Sequence, residues 1–152
     1  MTDQDGENET IRRFGHHESL IAGYRHWMVL LRTHQTTLGA VILAARGEAK
    51  SFAALQVGAH AELAAVTADV EATLKHLFDY RKINYLMLMM VDPHVHFHVL
   101  PRYDGAREFA GEVFTDRGRP RQPDLADGPT LALEPLHRLR DHVKSAWPPS
   151  RL

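Results

Sequence analysis

Residues 91–103 read Val-Asp-Pro-His-Val-His-Phe-His-Val-Leu-Pro-Arg-Tyr, and the rest of the chain is best understood from this stretch. Three histidines alternate with apolar residues in it, which is the period of a β-strand. The pattern predicts a strand over residues 94–102, antiparallel to the segment before it. One face of this strand carries His94, His96 and His98, and the other carries Val95, Phe97 and Val99. The apolar face can pack on a core, whereas three aligned imidazoles are an unusual choice for burial alone.

The histidine face suits two kinds of chemistry, because imidazoles titrate near neutrality and also bind metals. Alternate residues of a flat strand spread over about 13 Å, so two of the three rings can share a zinc ion, and all three converge only if the strand bends. The chain has no Cys and no His-Glu-x-x-His helix to complete such a site. The alternative is a neutral central imidazole that attacks phosphorus, with protonated imidazoles and Arg102 stabilising the transferring group. Of these two kinds of site, we expect the nucleophilic central imidazole, and we expect no bound metal.

The segment from His94 to Arg102 resembles the signature of the histidine-triad (HIT) superfamily of nucleotide hydrolases and transferases. It is most similar to the branch that includes diadenosine polyphosphate hydrolases and their bacterial relatives. The likeness extends to Leu-Gly-Ala-Val-Ile-Leu at 38–43 and to Ile-Asn-Tyr-Leu at 83–86, and it covers roughly residues 24–104. The resemblance implies a homodimer that binds a small nucleotide substrate and cleaves either a nucleoside polyphosphate, such as a diadenosine polyphosphate, or a nucleoside phosphoramidate.

The same resemblance implies a role for each histidine. His96 is the nucleophile that attacks an α-phosphorus to give a nucleotidyl-imidazole intermediate, His98 assists the leaving group, and His94 helps to fix the site. Three further residues are candidates for substrate binding, namely Arg102 at phosphate, Arg32 near ribose and Asn84 as a hydrogen-bond partner. For each of these three a purely structural role is the alternative.

Two departures from the family pattern concern substrate choice and catalytic efficiency. Many relatives have Gly-Gln or Gly-Ser shortly before the first histidine, whereas this chain has Met-Met-Val-Asp-Pro at 89–93. Relatives also often have His after the first hairpin glycine, where this chain has Ala40. A nucleotide-binding or regulatory protein with little turnover is therefore the alternative to a hydrolase.

Composition excludes several other classes of protein. The length of 152 residues and the 44% apolar content fit one globular domain. A formal net charge of −1 gives no general attraction to nucleic acid, and the absence of Cys favours a reducing compartment. No stretch resembles a signal peptide or a membrane span, so we expect a cytoplasmic protein. We expect no tightly bound cofactor, although Mg²⁺ can accompany a polyphosphate substrate.

The pattern along the chain predicts an α+β fold: an antiparallel sheet of four to six strands, with one long helix packed across it and a C-terminal helix. A β-rich sandwich is the alternative. The predicted parts are a disordered terminus over 1–13, a HIT-like domain over 14–105 and an extension over 106–152 packed on it. The predicted elements are strands at 26–32 and 38–44, a helix at 58–79, a strand at 83–91 buried on both sides and a helix at 135–146. We expect Trp27, Tyr85 or the last helix to need cover from a second copy.

Overall fold

A computed structural model describes residues 6–149 and contains a five-stranded antiparallel sheet. The strands are β1 (Leu20–Gly23), β2 (Trp27–Leu31), β3 (Val41–Ala45), β4 (Lys82–Leu86) and β5 (His96–Arg102). Their order across the sheet is β1-β2-β3-β5-β4, so β5 is an inner strand between β3 and the edge strand β4. The helices are α1 (Glu9–Arg13), α2 (His16–Ser19), α3 (Val57–Phe78) and α4 (Leu133–Ala146), with a 3₁₀ turn at Phe52–Ala54. The predicted α+β fold is confirmed.

One face of the sheet packs on α3, as the helical period predicted. Val66, Val70 and Leu74 repeat every four residues and are buried against Val99 of β5. The C-terminal helix α4 contributes Leu136, Leu139 and Val143 to the same core. None of the helices within residues 6–149 combines the length and the hydrophobicity that a membrane span requires.

The hairpin between β2 and β3 depends on Gly39. Its φ is +94°, a backbone conformation that residues with a Cβ rarely adopt. A Cβ at this position would also lie 2.6 Å from Cδ2 of Phe78 at the end of α3. Gly39 therefore permits both the turn and the close approach of α3.

The opposite face of the sheet is covered by the N-terminal segment, which was predicted to be disordered. That prediction is wrong for α1, and residues 1–5 lie outside the described residues. Asn8 caps α1 by accepting from the N–H of Ile11, and its amide donates to the carbonyls of Ala45 (3.0 Å) and Gly47 (2.7 Å). Ile11 is fully buried on β2 and β3, with Phe14 beside it. These two apolar residues, three apart after a capping Asn, are the helical signal that the acidic composition obscured.

Two other predictions need correction, and one hairpin was not predicted. The apolar segment 83–91 is not a strand buried on both sides: β4 ends at Leu86 and forms a sheet edge, and Met90 is 90% exposed. Trp27 needs no cover, because it is buried and donates to the carbonyl of Ala59 (2.8 Å). The extension also contains an unpredicted hairpin of β6 (Ala106–Phe109) and β7 (Glu112–Thr115).

Candidate active site

The sheet places His96 and His98 on the face that α1 covers. On β5, His96 pairs with Ala44 and His98 pairs with Ile42 of β3, so the two imidazoles lie among buried apolar side chains. Their ring centroids are 5.2 Å apart. His94 precedes β5, since the strand begins at His96 and not at residue 94 as predicted. The three histidines therefore do not form one row on a flat strand.

The hydrogen bonds of His96 identify its tautomer. Its Nδ1 lies 2.7 Å from the carbonyl oxygen of His94. A carbonyl oxygen can only accept, so Nδ1 carries the proton and Nε2 has a free lone pair. This Nε2 is buried and has no hydrogen-bond partner among residues 6–149. An unsatisfied buried nitrogen is costly to the fold, and a free lone pair is what a nucleophile requires.

His98 carries its proton on Nε2, unlike His96, because its Nδ1 accepts a hydrogen bond from Arg32. Nε of Arg32 donates to Nδ1 of His98 (3.2 Å), so the proton of His98 is on Nε2. Burial, followed by the charge of Arg32 and the neighbouring His96, lowers the pKa of His98 from 6.5 to about 4. The expectation of protonated flanking imidazoles is thus wrong for His98, which is a neutral hydrogen-bond donor at pH 7.

Arg32 is a half-buried cation directly after β2. Its Nη1 donates to the carbonyl of His34 and to Oγ1 of Thr36, both at 2.7 Å. No carboxylate among the described residues pairs with its guanidinium, and burial lowers its pKa. An arginine keeps its proton near neutrality, so this part of the site retains an uncompensated positive charge beside His98.

His94 contacts the N-terminal helix instead of the other two rings. Its Nδ1 lies 2.9 Å from Oγ1 of Thr10, its backbone N–H donates to the same hydroxyl (3.3 Å), and its Nε2 lies 3.0 Å from Oε2 of Glu48. The side chain therefore holds α1 to the sheet, and the carbonyl of His94 orients His96. Sequence reasoning missed Thr10 and Glu48, since no local pattern connects them to the triad.

Phe14 closes the histidine face. Its ring centroid lies 5.4 Å from that of His96 and 5.8 Å from that of His98. Arg13 holds the same segment from the outside through an ion pair with Asp92 (3.1 Å). In this conformation Nε2 of His96 is covered by the chain itself.

Arg102 and Asn84 lie together but away from the triad. Arg102 is six residues beyond His96 on β5, or about 20 Å along the strand. Its guanidinium donates to both carboxylate oxygens of Asp116 (2.6 and 3.1 Å), to Oδ1 of Asn84 (2.8 Å) and to the carbonyl of Arg121 (2.8 Å). The predicted site residues thus form two groups, with Arg32 and the histidines in one and Arg102 and Asn84 in the other.

Comparison with solved structures identifies the architecture. A histidine triad (HIT) protein from Sinorhizobium meliloti aligns over 92% of this chain and 95% of its own, with a TM-score of 0.65 and 20% identity. The NitFhit protein of C. elegans aligns over 85% of this chain with a TM-score of 0.64 and 16% identity, and this chain spans 27% of NitFhit. A Zn-bound histidine triad family protein from Mycobacterium smegmatis has a TM-score of 0.55 at 16% identity, covering 84% of this chain and 81% of its own.

This chain has the histidine-triad fold. The resemblance seen in residues 94–102 is thereby confirmed for the fold, and the diadenosine polyphosphate branch stays a prediction. No protein-family model matches the chain, and a search of curated proteins found no significant match.

Within the histidine-triad fold, the described residues offer no ready metal centre. Among residues 6–149, no group of three or more His, Cys, Asp or Glu side chains could hold a metal ion. His94 is bonded to Thr10 and Glu48, and Nδ1 of His98 is bonded to Arg32. The expectation that no metal is bound stays a prediction.

Proposed function

We propose that this protein is a nucleotide hydrolase or transferase that cleaves a nucleoside polyphosphate through a covalent nucleotide on His96. The observation that carries the proposal is the hydrogen bond from Nδ1 of His96 to the carbonyl of His94. This bond leaves Nε2 with a lone pair that no hydrogen bond from a described residue occupies. The fold supports a nucleotide-processing protein, and the tautomer supports this particular nitrogen.

The proposed reaction has two displacements at the α-phosphorus. Nε2 of His96 forms a bond to phosphorus while the bond from phosphorus to the bridging oxygen breaks, and the distal phosphate leaves with the electron pair. Water then attacks the same phosphorus, releases a nucleoside monophosphate and restores the lone pair of Nε2, with one proton passing to solvent. Arg32 and the Nε2–H of His98 stabilise the charge that develops on the phosphoryl and bridging oxygens.

The state of His98 favours an anhydride over a phosphoramidate substrate. An amine leaves phosphorus only when it takes up a proton, whereas a phosphate oxygen can leave as an anion held by a hydrogen bond. Because the pKa of His98 is lowered to about 4, its imidazole is neutral at pH 7 and donates a hydrogen bond better than it delivers a proton. We therefore expect dinucleoside polyphosphates to be better substrates than nucleoside phosphoramidates.

Turnover requires the segment that contains Phe14 to move, because Nε2 of His96 is buried beneath it. The rival proposal follows from the same observation. A protein that keeps this face closed, lacks the Gly-Gln or Gly-Ser pair and has Ala40 in place of His can bind nucleotides without cleaving them.

One panel separates the two proposals. The purified full chain is incubated with diadenosine tri- and tetraphosphate and with adenosine phosphoramidate, with and without Mg²⁺, from pH 5 to 8. A nucleoside monophosphate product, formed faster from the anhydrides, supports the hydrolase. Binding without product at every pH contradicts it and favours the regulatory protein.

We further propose that the protein forms a homodimer in the cytoplasm through the edge of β4. This strand has one unpaired side, and the apolar side chains of Leu88, Met90 and Val91 that follow it are 48, 90 and 70% exposed. Apolar groups exposed together near a free strand edge favour association. Tyr85, which was expected to need cover, is half-buried and donates to Oε2 of Glu71 (2.7 Å).

A further inference from the structure

A cleft lies beside the end of β5 that is farther from His96. It has a volume of about 740 Å³, which is within the range of small-molecule sites. Its walls come from the start of β4, the end of β5 and the loop over residues 119–122. The charged side chains that line it are Arg81, Lys82, Arg102, Arg119 and Arg121, together with the carboxylate of Asp104. We call it the basic cleft.

Arg102 builds the basic cleft without supplying its free charge. The ion pair of Arg102 with Asp116 is almost fully buried, with side-chain exposures of 8 and 2%, so this charge is neutralised within the protein. The same guanidinium donates to the carbonyl of Arg121 and to Asn84. These bonds hold the loop against the sheet and bring Arg119 and Arg121 to the same cleft as Arg81 and Lys82.

The free charge of the cleft comes from three exposed side chains. Arg81, Lys82 and Arg121 have no side-chain hydrogen bond or ion pair with any described residue, whereas Arg119 pairs with Asp104 (3.1 Å). Three uncompensated positive charges thus surround one cleft in a chain whose formal net charge is −1. Like charges in one concave site repel each other, and an anion bound between them removes that cost.

We propose that the basic cleft binds the polyphosphate group of a small molecule, with Arg81, Lys82 and Arg121 as its charged ligands. Guanidinium and ammonium groups form charge-assisted hydrogen bonds with phosphate oxygens, and three free cations match a chain of two or three phosphates better than a single phosphate. The site is independent of the covalent chemistry proposed for His96, because it lies about 20 Å along β5 from that ring and its test measures binding alone.

The test is calorimetric titration of the full chain with inorganic tripolyphosphate, ATP and adenosine. We expect one site for tripolyphosphate that weakens as salt rises, no binding of adenosine in the cleft, and ATP binding that depends on the same side chains. Arg81→Gln, Lys82→Gln and Arg121→Gln should each weaken tripolyphosphate about tenfold, as expected for one lost charge-assisted hydrogen bond. All three side chains are exposed, so the melting temperature should not change.

Two controls make the result decisive. Arg25→Gln removes an exposed arginine from the turn between β1 and β2, outside the cleft, and should leave tripolyphosphate affinity unchanged. His96→Ala should leave it unchanged as well. The proposal is overturned if tripolyphosphate does not bind at millimolar concentration, if Arg25→Gln weakens it as much as Arg121→Gln, or if His96→Ala abolishes it and so places the anion at the triad.

Discussion

The buried neutral state of His98 makes the stability of this protein depend on pH in a calculable way. The pKa of His98 falls from 6.5 to about 4 on folding, so between these values the unfolded chain binds a proton that the folded chain does not. The stability that this one group contributes is fully present above pH 6.5 and is lost as the pH falls towards 4. At pH 4.5 the loss from this one group is about 2–3 kcal/mol, from roughly 1.4 kcal/mol for each pH unit between the two pKa values.

The change that isolates this effect is His98→Asn, because an Asn side chain can accept the hydrogen bond from Arg32 but does not titrate. Unfolding by urea should show that the wild type loses about 2–3 kcal/mol more than His98→Asn between pH 7 and 4.5. His76→Asn, which removes an exposed histidine of α3, is the matched control for the loss of a histidine. Equal pH dependence of the wild type and His98→Asn would refute the buried neutral imidazole, and an imidazole ¹⁵N spectrum with the proton on Nδ1 would refute the assigned tautomer.

The other predictions concern the nucleophile, its cover, the core and assembly. His96→Ala should lower turnover by several orders of magnitude. When the reaction is quenched in alkali, which preserves the phosphorus–nitrogen bond, only the wild type should carry a nucleotide on residue 96. Near-normal turnover of the variant would contradict the assignment of His96 as the nucleophile. Phe14→Ala should expose His96 to diethyl pyrocarbonate and raise kcat/KM, and slower turnover with an unchanged fold would show that Phe14 belongs to the binding site instead. Phe97→Ala should lower the free energy of unfolding, measured in urea, by about 2–4 kcal/mol. The reason is that the Phe97 ring packs on Trp27, Phe52 and Tyr85 on the α3 side of the sheet. A loss below about 1 kcal/mol would contradict that packing. Sedimentation should show a dimer at micromolar concentration that Met90→Glu weakens, and a clean wild-type monomer would exclude the β4 interface.

The fold was predictable where one local period was strong. Alternation in residues 94–99 predicted a strand with histidines on one face, which is confirmed from His96 onward, and the spacing of Val66, Val70 and Leu74 predicted α3. The apolar run at 83–91 failed as a predictor because hydrophobicity alone does not distinguish a central strand from an edge followed by exposed residues. Met90 is exposed although its residue type favours a core.

Consecutive residues were enough to predict that His96 and His98 share one face of a strand, because strand period is a local property, and the resemblance of the motif made His96 the candidate nucleophile. Which nitrogen carries the proton in His96 and in His98, and the burial of Nε2 of His96, depend on contacts made only in the folded chain. Thr10 and His94 are 84 residues apart, and Arg32 and His98 are 66 apart, so these contacts arise from packing that no local pattern encodes. The position of Arg102 in the motif suggested a phosphate ligand, but in the folded chain its guanidinium pairs with Asp116. No local pattern predicts this ion pair either. Long-range packing sets the dielectric, the hydrogen-bond partners and the cover of a side chain, and these decide what a residue of given chemistry can do.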